Sequence, residues 1–183
     1  MIVKFTDLYK IIYDKKKVFS KIKELVTSSK FVGGKEVENF EKNFSNFTGS
    51  RYAVSLANGT DALEIAIKAL NIKKNFEVIL PVNTWISTAE AVLTNNLKIV
   101  FCDINLDDYS ICLKDLKKKI SKRTKLIMPV HLYGNPTNIQ DIKKIIGKKN
   151  IKIVEDCAQA HGALVNGKHV GTIGDVGTFS FFP

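Results

Sequence analysis

Residues 153–162 read IVEDCAQAHG. Ile151, Ile153 and Val154 make a run apolar enough for a buried strand, yet it closes on Glu155 and Asp156. A buried carboxylate needs a partner, because its lost hydration is otherwise uncompensated. Side chains alternate along a strand, so Ile151, Ile153 and Glu155 share one face and Val154 and Asp156 the other. If Ala158 begins a helical turn, Gln159 follows Asp156 at i+3 and lies beside it. An acid and an amide then converge at a strand end. A salt bridge to a lysine would satisfy Asp156. So would a ligand's protonated ring nitrogen, through a short charge-assisted hydrogen bond. Buried acids are rare without a specific partner, and the ligand is the expectation here.

Working outward, strand, loop and helix repeat. Strands are expected at Tyr52–Leu56, Val78–Leu80, Ile99–Cys102, Leu126–Val130 and Ile151–Val154. The helices between them are Ala62–Leu70, Ile86–Leu93, Leu113–Ile120 and Ile139–Ile146. Upstream, Val18, Phe19, Ile22, Leu25 and Val26 lie on one face of a helix over Ile12 to Val26. Gly33-Gly34 interrupts the chain, Val37, Phe40, Phe44 and Phe47 mark a second helix, and Gly49 ends it. Downstream, VNGKHV places an Asn-Gly turn in a small hairpin, with His169 at its surface, and Val176–Phe182 reads as a last strand. Short runs without strict alternation, joined by helices, predict an α/β fold with a mostly parallel sheet flanked by helices. Such sheets bind ligands at the carboxyl ends of their strands. No repeat, low-complexity tract or linker divides residues 1–183.

The polar residues at those ends can be taken in turn. In ANGTDALEIAIKAL, Asn58-Gly59-Thr60 follows a strand and opens a helix. Gly59 allows close approach to backbone N–H groups that lack helical partners, an arrangement suited to a phosphate, with Thr60 adding a hydroxyl. Plain helix capping by Asn58 or Thr60 would use the same residues. Trp85, the one tryptophan, stands where a loop meets a helix after Pro81. Its indole could stack on a flat heteroaromatic ligand or pack as core. Ser180, between Phe179 and Phe181, needs a hydroxyl partner if buried, either a phosphate or a backbone carbonyl.

The chain has 183 residues, 45% of them hydrophobic, enough for one sizeable α/β domain. No apolar run is long enough to span a bilayer, and MIVKFTDLYK lacks the pattern of a signal peptide, so a cytoplasmic protein with no membrane partner is expected. Cys102, Cys112 and Cys157 fit neither a disulfide framework nor a zinc site, and no metal is expected. The net charge of +10 comes from lysines at 15–17, 117–119, 143–144 and 148–149, inside amphipathic segments and without interleaved aromatics. Solvated helix faces, not nucleic-acid binding, are the expectation. A non-catalytic basic binding module stays as the alternative, which salt-dependent DNA binding would reveal. No GxGxxG follows a strand, which argues against a nicotinamide-binding oxidoreductase.

Taken together and in order, FVGGKEVENFEKNF, ANGTDALEIAIKAL, EVILPVNTW, VFCDIN, PVHLYGNP, VEDCAQAHGA and GTIGDVGTFSFFP resemble the DegT/DnrJ/StrS family of pyridoxal-phosphate-dependent sugar aminotransferases. The resemblance runs from about Phe31 to the last residue. It implies most of the large domain of the aspartate-aminotransferase fold (PLP fold type I). It also implies roles: Gly59, Thr60 and Ser180 on the cofactor phosphate, Trp85 stacked on the pyridine ring, Asp156 on the ring nitrogen and Gln159 on the ring hydroxyl. The implied reaction moves an amino group, with glutamate as donor, to a keto sugar carried on a nucleotide. The implied assembly is a homodimer with active sites at its interface.

The same resemblance places the family's Schiff-base lysine two residues beyond Pro183, and a C-terminal small domain beyond that. These residues are thus expected to be a truncated, N-terminal part of a longer enzyme and inactive alone. Some relatives carry His in place of that Lys and act as sugar dehydratases, the same-fold alternative; GTFSFFP resembles the aminotransferase branch more. Asn75-Phe76 replaces a usual Gly-Asp, and Cys157 a common Ala. His131 and His161, near strand ends, could face substrate or be satisfied polar residues of the pocket wall.

Overall fold

Alternating strands and helices build one parallel sheet with helices on both faces in the computed structural model, which describes residues 8–182. MIVKFTD and the final Pro183 lie outside those residues. The strands are β1 (Glu77–Pro81), β2 (Lys98–Cys102), β3 (Thr124–Ile127), β4 (Lys152–Asp156), β5 (Leu164–Val165), β6 (Lys168–His169) and β7 (Val176–Thr178). The helices are α1 (Leu8–Ile11), α2 (Lys15–Ser28), α3 (Lys35–Thr48), α4 (Gly59–Ala69), α5 (Ile86–Thr94), α6 (Leu113–Lys119) and α7 (Ile139–Ile146). Five strands pair in parallel in the order β2-β1-β3-β4-β7, and β5 and β6 form an antiparallel hairpin.

The strands lack alternation because both faces are covered. Val78, Leu80, Leu126 and Val154 pack with Leu63, Ala66 and Ile67 of α4 and Ala91 and Val92 of α5. On the other face Ile79, Ile127, Ile151 and Ile153 pack with Leu116 of α6 and Ile139, Ile142 and Ile146 of α7. Each fully buried aliphatic side chain contributes about 1.5–3 kcal/mol. The chain leaves β1 through α5 on the first face and β3 through α7 on the second, so a crevice opens between them at the carboxyl ends.

Some expectations are corrected. Tyr52–Leu56 joins no ladder among the described residues, although Ser55 N–H donates to Glu41 Oε1 at 2.7 Å. A strand exists by pairing, and here a cavity of about 890 Å³ separates the segment from β7, with Val54, Ile65 and Val176 in its lining. The last strand stops at Thr178, because beyond it ring contacts replace ladder bonds: Phe179 meets Phe44, and Phe181 meets Phe40 and Phe44. The third strand ends at Ile127, and Val130 makes only an isolated bridge to Asp156. The Asn166-Gly167 turn forms as expected, with both residues at positive φ. His169 is not at the hairpin surface. It is 7% exposed and lies edge-on to Phe47, 4.8 Å between ring centres. Alternation on so short a strand turned its imidazole inward, toward the α3 aromatics.

Candidate active site

The two carboxylates that end β4 point to opposite faces and meet different fates. Glu155, fully buried, accepts hydrogen bonds from Ile173 N–H at 2.8 Å and Gly174 N–H at 2.6 Å on one oxygen. Its other oxygen lies 3.1 Å from His131 Nε2. Thr137 N–H donates to His131 Nδ1 at 2.9 Å, so the ring proton sits on Nε2 and is donated to Glu155. Burial pushes the Glu155 carboxyl up, but the His131 and glycine N–H donors outweigh it and hold it below its ordinary range. Cys157 completes the cluster, its thiol donating to the Glu155 carbonyl and pushed well up by burial. Side-chain donor atoms of His131, Glu155 and Cys157 lie within 4.8 Å of one another. Both His131 nitrogens, both Glu155 oxygens and the Cys157 thiol proton have protein partners, which makes the cluster structural. His131 is therefore a satisfied, fully buried polar residue.

Asp156 is 4% exposed and has two neutral donors, Thr88 Oγ1 at 2.9 Å and Ala158 N–H at 3.2 Å. No lysine or arginine pairs with it among the described residues. Burial pushes its carboxyl up, and the two hydrogen bonds only partly offset that. A desolvated acid without a cation stands at the mouth of the sheet.

The helix starts supply the rest. Asn58 caps α4, its Oδ1 accepting from Asp61 N–H at 2.9 Å, which leaves the Gly59 and Thr60 N–H groups for an anion. A Cβ added to Gly59 would lie 2.8 Å from Ser180 Cβ, so only glycine allows the two backbones this close. Gly59, at the start of α4, and Ser180 thus come together from positions far apart in sequence. Trp85 occupies the N-cap position of α5 with its side chain exposed. In the same turn Ser87 Oγ accepts from Thr60 Oγ1 at 2.8 Å, and Thr88 reaches Asp156. The first turn of α5 therefore touches both Thr60 and the buried acid, and Trp85 immediately precedes that turn. Gln159 lies on a turn after β4, and its Oε1 accepts from Tyr133 N–H at 2.8 Å. Its NH2 end is thereby left to donate to a ligand oxygen. His161 is exposed and packs against Phe179 and Phe181, 5.5 and 4.9 Å between ring centres.

Reading the sequence alone misses Thr84, Ser87, Thr88 and Tyr133. The available signal was three hydroxyls at 84, 87 and 88 around the tryptophan, the last two on a helix whose other buried positions are apolar. The donor set fits an elongated ligand with an anionic group at one end, a flat ring, and a basic ring nitrogen at the other.

Comparison with known proteins identifies the family. Residues 13–183 match the model of the DegT/DnrJ/EryC1/StrS aminotransferase family. The chain is 39% identical over 180 residues to the dTDP-3-amino-3,6-dideoxy-alpha-D-galactopyranose transaminase of Aneurinibacillus thermoaerophilus, covering 98% of this chain and 50% of that protein. Among solved structures, a DegT DnrJ EryC1 StrS aminotransferase from Brucella abortus superposes with a TM-score of 0.94 at 29% identity, over 100% of this chain and 51% of that one. The E. coli GDP-4-keto-6-deoxy-D-mannose-3-dehydratase with bound hydrated PLP superposes with a TM-score of 0.88 at 34% identity, over 93% of this chain and 45% of that one. The chain spans about half the length of the curated relatives it matches.

Proposed function

The chain belongs to the DegT/DnrJ/EryC1/StrS aminotransferase family, and from that premise we propose that it carries most of the cofactor-binding half of a pyridoxal-phosphate-dependent sugar aminotransferase. The substrate is a keto sugar on a nucleotide, the donor is glutamate, and the whole protein works in the cytoplasm as a homodimer. One observation carries the reading: Asp156 is buried at the carboxyl end of a parallel sheet with two neutral donors and, among the described residues, no lysine or arginine partner.

Bound there, pyridoxal phosphate supplies a ring that accepts the electron pair released at a substrate carbon. Asp156 holds a proton on the ring nitrogen, since a fixed carboxylate favours the charged form of its partner. Gly59 and Thr60 N–H groups, with the Thr60 and Ser180 hydroxyls, bind the phosphate. Trp85 would supply a stacking surface for the ring, and the Gln159 NH2 would donate to the ring oxygen. The resemblance puts the imine-forming lysine outside these 183 residues, so turnover is assigned to the whole protein.

Likeness to a dehydratase of the same fold keeps sugar dehydration as a second reading. Both are tested by incubating the whole protein with pyridoxal phosphate, keto-sugar nucleotides and 15N-glutamate. Appearance of 15N on the sugar is expected, whereas a deoxy sugar without 15N would favour the dehydratase. Asp156→Asn is expected to lower turnover more than about a hundredfold while the protein stays folded. Near-normal turnover would overturn the role of Asp156.

A further inference from the structure

Thr88 is fully buried in the first turn of α5, and its hydroxyl has two neighbours. One is Asp156 Oδ2 at 2.9 Å, to which it donates; the other is Thr84 Oγ1 at 2.8 Å. A hydroxyl has one proton. With that of Thr88 given to Asp156, Thr84 must donate to Thr88. The three groups form a directed chain, Thr84 to Thr88 to Asp156, running from the half-buried loop after β1 to the acid at the end of β4.

We propose that Thr88, backed by Thr84, is the positioning residue that keeps Asp156 ionised and fixes its rotamer toward the ring nitrogen. The inference deepens the reading above and rests on it for its catalytic meaning. Asp156 has two anchors. Ala158 N–H is part of the turn and holds Oδ1 wherever β4 ends. Thr88 comes from another helix and holds Oδ2, so together they fix the carboxylate plane. Each oxygen keeps a lone pair for a ligand. The ionisable groups around Asp156 are His131 from the β3 side and its sequence neighbours Glu155 and Cys157. From the packed elements, α5 presents Thr88, β7 presents Thr178 in register with Asp156, and α4 presents apolar Leu63, Ala66 and Ile67. None of these ionises, and among the described residues the Thr88 hydroxyl is the side chain that donates a hydrogen bond to the carboxylate.

The test follows the carboxyl itself. In protein carrying 13C-labelled aspartate, the Asp156 carboxyl resonance is titrated in the parent, Thr88→Val, Thr88→Ser and Thr84→Val. Losing one hydrogen bond to a charged group should move the Thr88→Val midpoint up by about one pH unit. Thr88→Ser should leave the midpoint at the parent value, and Thr84→Val should raise it by less than Thr88→Val does. An unmoved midpoint in Thr88→Val overturns the proposal. If that variant does not fold, Thr84→Val decides: a rise supports the chain and no rise overturns it. A second arm adds pyridoxal phosphate labelled with 15N in its ring and reads the nitrogen shift. A raised Asp156 midpoint together with a ring nitrogen indifferent to Asp156→Asn would sustain the role of Thr88 and sink the cofactor reading. A ring nitrogen that responds to Asp156→Asn while Asp156 titrates normally in Thr88→Val would do the reverse.

Discussion

Glu155 is where a substitution should act most clearly through structure alone. It is fully buried and takes three donors: His131 Nε2, Ile173 N–H and Gly174 N–H. Glu155→Gln keeps the shape and lets one amide oxygen serve both backbone donors. Its NH2 then confronts His131 Nε2–H, which cannot become an acceptor without moving its proton to Nδ1, where Thr137 N–H already points. One buried donor is left unmet, costing about 1–3 kcal/mol. Glu155→Leu leaves all three unmet, and the loss rises to about 3–5 kcal/mol, the range for breaking a buried charged cluster. Against a total of about 5–15 kcal/mol, the first variant folds and the second is marginal. Urea unfolding reads this as a midpoint lowered by about 1 M for Gln at unchanged slope. The pH dependence carries a sign. The folded carboxyl sits below its ordinary range, so its contribution is full above the unfolded value and fades as pH falls through the folded one. The gap between parent and Gln variant must therefore be widest at neutral pH and narrow in acid. A Gln variant with the parent midpoint at neutral pH, or a gap constant into acid, would refute the cluster as described.

Two further outcomes follow from the same geometry. Asp156 has the opposite sign: burial raises its folded carboxyl, so its stabilising share is complete below the unfolded value and is lost as pH rises through the folded one. In cofactor-free protein Asp156→Asn should gain on the parent in unfolding midpoint as pH rises from acid to neutral, and a difference independent of pH would contradict this. Gly59→Ala gains about 1 kcal/mol of helix propensity but forces a Cβ to 2.8 Å from Ser180, and overpacking of about 1–3 kcal/mol wins. Calorimetric titration with pyridoxal phosphate should find weaker binding in Gly59→Ala, and unchanged affinity would remove Gly59 from the phosphate cradle.

Much of the fold was legible. Ile139–Ile146 runs as the 3.6-residue spacing predicts, and Ile86–Thr94 and Leu113–Lys119 differ from expectation by one residue. The alternation along β4 placed Ile153 and Val154 in opposite cores, as deduced from the period of two. Tyr52–Leu56 failed because periodicity reports what a segment can face and is silent on whether a neighbour pairs with it. His169 failed for a related reason: a two-residue strand carries too little pattern to say which side packs on Phe47. At the site, the proposed cofactor residues fall at strand ends and helix starts, but their supports were invisible. Gln159 was legible as a candidate beside Asp156, whereas the Tyr133 N–H that orients it belongs to another loop.

The order of amino acids by itself determined a parallel α/β sheet and the opposite orientation of Glu155 and Asp156, since both follow from local periods of the backbone. Only the tertiary structure decided who meets them. His131 stands 24 positions from Glu155, and Thr88 stands 68 positions from Asp156. Those meetings depend on how crossovers order the strands, a long-range outcome of packing that no local pattern encodes. One acid thereby gains donors enough to hold its charge in the core, and the other is left buried with two neutral donors.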